Sequence, residues 1–135
     1  MHKPKLLLSA GTGWSATTPL YKTLKEQGIA ASGVCKEPAA LHWLSHKDPN
    51  NWKHERGPKY KLLLSTRPER KLENSHLLFS KNATLSDYIE YYKWLSNKSD
   101  RPYACDFSNH NADLSPEFIS EIAPALKDNF DVLLF

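Results

Sequence analysis

The densest run of residues able to do chemistry is Ser9-Ala10-Gly11-Thr12-Gly13-Trp14-Ser15-Ala16-Thr17-Thr18-Pro19-Leu20. The apolar stretch Leu6-Leu7-Leu8 enters it and a helical pattern leaves it. Glycines let such a connection turn. Successive backbone N–H groups and the positive end of the following helix then converge on one spot, which suits a phosphate or sulfate. Thr17 and Thr18 add hydroxyl donors at the helix start. Gly11, Thr12, Gly13, Trp14, Ser15, Ala16, Thr17 and Thr18 are therefore the candidate anion-binding residues. In the loop of nucleotide hydrolases, Gly-x-x-x-x-Gly-Lys-Ser/Thr, the lysine carries the phosphate charge. Here Thr17 stands at that lysine and Ala16 at the glycine before it, which argues against an ATPase or a kinase.

Two further groups sit just after stretches that read as strands. Lys36 and Glu37 follow the first; Asp106, Ser108, Asn109 and His110 follow the second. Open α/β sheets bind ligands beyond the carboxyl ends of their strands. Glu37 and His110 are the candidates for proton transfer there, and Lys36 for a positive charge. His42, His46, His54 and His76 form no usable pattern, and no His/Cys/Asp grouping has ligand spacing, so no metal is expected. Between Lys53 and Lys71 seven basic residues face only Glu55 and Glu69. That stretch reads either as a solvated loop or as a lid that attracts an anionic substrate. Trp43 and Trp52 flank its start and could stack on a ring, although Trp43 also suits a core.

The elements that must position these residues alternate in type. Residues 5–9 read as a buried strand and 17–27 as a helix, with Pro19 in its first turn and Gly28 at its end. Residues 29–35 read as a second strand, completing a β-α-β unit. Residues 38–46 predict a short helix with Leu41 and Leu44 on one face. From 48 to 75 the periodicity dissolves into a long loop. Thr84-Leu85-Ser86-Asp87 is a capping-box variant that opens a helix over 84–97. A strand over 101–107 follows, then a helix over 115–127 with Pro116 at its first position, then an apolar, buried strand over 131–135. The expected fold is α/β: a three-layer parallel sheet flanked by helices in one domain over 1–135.

Bulk properties bound the function. The 135 residues carry 18 basic and 15 acidic side chains, a net charge of +3. That balance does not mark a nucleic-acid or membrane binder. Cys35 and Cys105 lie in apolar stretches and make no disulfide framework. The apolar run near the amino terminus is shorter than a secretory or membrane-spanning segment, so a cytoplasmic protein is expected.

Taken together, four motifs in order resemble the PAPS-dependent sulfotransferases, in their carbohydrate, heparan-type or phage-type forms. The stretch Ser9 to Leu20, with Gly11 to Thr18 at its centre, is similar to the family's 5′-phosphosulfate loop. Val34-Cys35-Lys36-Glu37-Pro38 looks like the Lys-Glu-Pro segment after the second strand. Cys105-Asp106-Phe107-Ser108, followed by Ser115-Pro116-Glu117, resembles the acceptor-side strand and the helix after it. Asp131-Val132-Leu133-Leu134-Phe135 resembles the strand leading to an Arg-Asp-Pro motif. The resemblance implies a P-loop-like fold, PAPS as co-substrate, no metal, and a small-molecule or carbohydrate hydroxyl acceptor. It implies Glu37 as general base; from their own positions, His110 is the alternative base or an acceptor contact, and Lys36 could supply positive charge to donor or acceptor. Trp14 departs from it, standing where most members carry a loop lysine. The 3′-phosphate-binding arginine and serine of the family fall after the last strand, so the resemblance also implies a domain truncated after the strand ending at Phe135 and a complementing C-terminal half. A truncated or degenerate, non-catalytic binding domain is the alternative expectation.

Overall fold

The apolar stretches pair as the alternation predicts. The structure is a computed structural model that describes residues 2–9, 17–33, 37–48, 50, 52–66 and 74–134. Among the described residues, four strands form one sheet in the order β2-β3-β1-β4: β1 (Lys5–Leu8), β2 (Ala30–Ala31), β3 (Tyr103–Asp106) and β4 (Asp131–Leu134). Every neighbouring pair is parallel, with Leu8 opposite Asp106 on one side and Leu134 on the other. β1 and β2 do not touch each other; both pair with β3.

The connections explain the layers. The chain leaves β1 toward one edge to reach β2, then works back past β1 to β4. Right-handed crossovers in opposite directions put their helices on opposite faces. Accordingly, Leu7, Cys105 and Phe107 pack against Tyr21 and Leu24 of α1 (Thr17–Glu26). Leu6, Leu8 and Ala104 pack on the other face against α5 (Leu85–Ser99) and α6 (Pro116–Asn129). Tyr88, Tyr91 and Tyr92 of α5 are all buried there, the helix-periodic stripe expected of a core helix. Smaller helices α2 (Ala40–His46) and α4 (His76–Phe79) complete this layer through Leu41, Leu78 and Phe79.

Local sequence sets the helix ends. Thr84 accepts from the Asp87 amide while the Asp87 carboxylate accepts from the Thr84 amide, closing the capping box. Ser115 caps α6, with Pro116 in its first turn. At the end of α1, Gly28 adopts φ +71°, and the amides of Gly28 and Ile29 bond the Lys25 and Leu24 carbonyls in a Schellman arrangement.

Three expectations need correction. Of the described residues in the expected second strand, 29–33, only Ala30 and Ala31 pair, while Val34 and Cys35 lie outside the described residues. Gly33 then turns at φ +65°, where any side chain would collide with the Tyr91 hydroxyl. The stretch from 48 to 75 is not a structureless loop. Trp52–Arg56 forms a π-helical turn that runs into α3 (Gly57–Thr66). Tyr60 stacks on Phe79 with ring centroids 5.1 Å apart, and Trp52 Nε1 donates to the Phe79 carbonyl. Trp52 is thereby held in the fold rather than offered to a ligand. Finally, β4 is an edge strand with Leu133 and Leu134 exposed, not a buried one.

Candidate functional site

β1 and β3 lie side by side and send the chain in opposite directions, so their carboxyl ends bound the crevice where α/β sheets take ligands. The Ser9 amide donates to the Asp106 carbonyl and closes that edge. The predicted anion residues Gly11, Thr12, Gly13, Trp14, Ser15 and Ala16 lie outside the described residues, as do Cys35 and Lys36. Thr17 and Thr18 begin α1, the helix that leaves this edge.

The turn after β3 is built on a buried carboxylate. Asp106 is fully buried and accepts the Tyr88 hydroxyl at 2.8 Å, the Ser108 amide at 3.0 Å and the Ser108 hydroxyl. Burial raises its carboxyl above 3.8, the nearby Glu37 charge raises it further, and the bonds from Ser108 and Tyr88 oppose the shift. With its proton given to Asp106, the Ser108 oxygen accepts the Ala39 amide at 2.9 Å. One residue on, the Asn109 amide donates to Glu37 Oε1 at 3.1 Å. Lys59 donates to the Glu37 carbonyl at 3.2 Å. Glu37 is thus fastened to the turn that carries His110.

Glu37 and His110 open on one cavity of about 450 Å³. Its wall includes His42 and His46 of α2, with Arg56 and Lys59 beyond them. Arg56 is buried and donates to the carbonyls of Pro38, Ala39 and Leu78, so it braces the cavity rather than waving in a solvated lid. Its guanidinium lies 4.9 Å from the Phe79 ring centroid and 5.7 Å from that of Trp43. Trp43 is buried, the core role its position allowed.

The three imidazoles form a stack. His42 lies 4.4 Å from His46 and 4.9 Å from His110, centroid to centroid, with planes tilted by 31° and 37°. His110 Nδ1 faces Asp113 at 3.3 Å, and His46 Nδ1 faces the Ser45 hydroxyl and the His42 carbonyl. Burial lowers the His42 pKa below 6.5, and the charges of His46, His110 and Arg56 lower it further against Asp113. Among the described residues no three His, Cys, Asp or Glu side chains converge as a metal site. Cys105 is no nucleophile either: burial, then the Asp106 charge, push its thiol up to about 12.

Glu37 and His110, singled out in the sequence, therefore meet in one cavity. His42, His46, Arg56 and Lys59 join them there without having been recognised as site residues. The i, i+4 spacing of His42 and His46 on an expected helix was the available signal. No family model, curated protein or solved structure matches this chain. Among the described residues, no helix is long and apolar enough to cross a membrane.

Proposed function

We propose that this domain is sulfotransferase-like: residues 11–18 hold the 5′-phosphosulfate of PAPS, and a hydroxyl acceptor sits in the cavity beside Glu37. The observation that carries this reading is the anchored Glu37 carboxylate. Its Oε1 is fixed by the Asn109 amide at the cavity wall, on the same edge of the sheet from which α1 departs. A positioned carboxylate that can take the proton of an attacking hydroxyl is what the acceptor side of sulfuryl transfer needs. Glu37 takes the acceptor hydroxyl proton as that oxygen attacks sulfur. The bond from sulfur to the bridging phosphate oxygen breaks, and adenosine 3′,5′-bisphosphate leaves with the electron pair. The positive end of α1 and Lys36 would meet the charge growing on that oxygen. No metal takes part in this scheme.

Trp14, in place of a loop lysine, favours a second reading in which the domain binds ligand without catalysis. A turnover assay separates the two. PAPS is supplied with a panel of hydroxyl compounds, and release of adenosine 3′,5′-bisphosphate is followed. Glu37→Gln keeps the side-chain size and removes the basicity. It should lower kcat by about 10²–10⁴ while donor affinity stays put. His110→Ala should raise the acceptor KM and leave kcat nearly intact. Full turnover by Glu37→Gln with none by His110→Ala would move the base to His110. Donor binding without turnover by the parent chain would select the second reading.

A further inference from the structure

The cavity holds more cationic capacity than proton abstraction requires. With the imidazoles neutral, Arg56 and Lys59 are offset by Glu37 and Asp48 on the same wall. His42, His46 and His110 can add up to three positive charges to that wall. His42 lies between the other two rings, so a charge on either disfavours a charge on His42, and a bound anion would relieve that repulsion.

We infer that the cavity is a binding site for an oxyanion, a carboxylate or sulfate group, held by His42, His46 and His110 as imidazolium together with Lys59, with the Arg56 guanidinium, bonded to backbone carbonyls, adding its charge. This rests on the proposed acceptor role of the cavity for its meaning, though not on sulfuryl transfer taking place. It narrows the acceptor to a hydroxyl compound that also carries an acidic group. Several of the described elements around the stack contribute to its charge. His46 lies on the same helix, His110 and Asp113 come from the turn after β3, Arg56 from the π-helical turn and Lys59 from α3. Glu37 and Asp48 flank α2 and oppose an anion, so the site must take up protons to bind one. The lowered His42 pKa agrees: in the ligand-free protein the ring favours its neutral form at neutral pH. An anion must therefore bring protons with it, and affinity must rise as pH falls.

The test uses the whole chain and side-chain NMR of the histidine rings, which reports this cavity separately from residues 11–18. Inorganic sulfate and gluconate are titrated at pH 5.5 and 7.5, with chloride holding ionic strength constant. Saturable shifts of the His42 and His110 resonances are expected. Binding linked to one proton should be at least about tenfold tighter at the lower pH. His42→Gln should reduce that pH dependence, and the parent-chain comparison stands by itself if the variant folds poorly. Tighter binding of gluconate than of sulfate assigns the anion to an acceptor; the reverse assigns it to a free ion, and both uphold the oxyanion site. Shifts that chloride reproduces, or an affinity equal at the two pH values, would overturn it. PAPS turnover that persists in that case would leave the sulfotransferase reading standing alone.

Discussion

Asp106 illustrates how a residue can shape a site without facing a ligand. Its oxygens collect the Tyr88 hydroxyl and both donors of Ser108, and through Ser108 and Asn109 they set where Ala39 and Glu37 sit. Asp106→Ala would leave the Tyr88 hydroxyl and the Ser108 amide as buried donors, at roughly 1–3 kcal/mol each. Urea unfolding should show that loss; an unchanged midpoint would mean the network is not formed. The sign of the pH effect follows from burial. Because the folded-state pKa is raised above 3.8, the carboxyl's contribution is full below about that pH and is lost as pH rises through the raised value. Asp106→Asn cannot ionise, so its stability should fall less steeply than the parent's across that window. For His42 the sign reverses: its contribution is present above 6.5 and lost as pH falls through the lowered folded value. Bound anion should oppose that loss.

Among the elements, the π-helical turn is the one whose removal should reach furthest. Arg56 ties it to the start of α2 through Pro38 and Ala39 and to α4 through Leu78. Arg56→Lys keeps the charge but cannot make the forked contacts. We expect a loss of roughly 3 kcal/mol, two charged hydrogen bonds at about 1.5 kcal/mol each, read by equilibrium denaturation; a neutral substitution would show that the brace is incidental. This element was also the least legible in the sequence. The helices over 84–97 and 115–127 announced themselves through Thr84, Asp87, Ser115 and Pro116, because capping is local chemistry. Trp52–Arg56 and α3 are held by the Tyr60–Phe79 stack, the bond from Trp52 to the Phe79 carbonyl and buried Arg56, all contacts made across the fold. Ile29 to Cys35 looked like a full strand because it is small and β-branched, but among its described residues the pairing ends at Ala31, ahead of the Gly33 turn under Tyr91. Glu37 and His110 were legible by their place after strands. The imidazole stack was not, since its third ring comes from a different element.

At the scale of the molecule, opposite crossovers from β1 and β3 open the crevice, and the turn after β3 joins it to the histidine cavity. The same sheet leaves β4 at an edge, with Leu133 and Leu134 half or more exposed. Exposed apolar edge strands invite pairing between chains. Light scattering should therefore grow with protein concentration, and Leu134→Lys should suppress it; equal scattering by both would place the association elsewhere. The central claim concerns the donor, and calorimetric titration tests it most directly. PAPS should bind one-to-one and more tightly than ATP. Replacing Thr17 and Thr18 by valine should weaken that binding about tenfold or more for each hydroxyl bonded to the anion. ATP binding as tightly as PAPS, or PAPS affinity unchanged in the doubly substituted chain, would contradict the account.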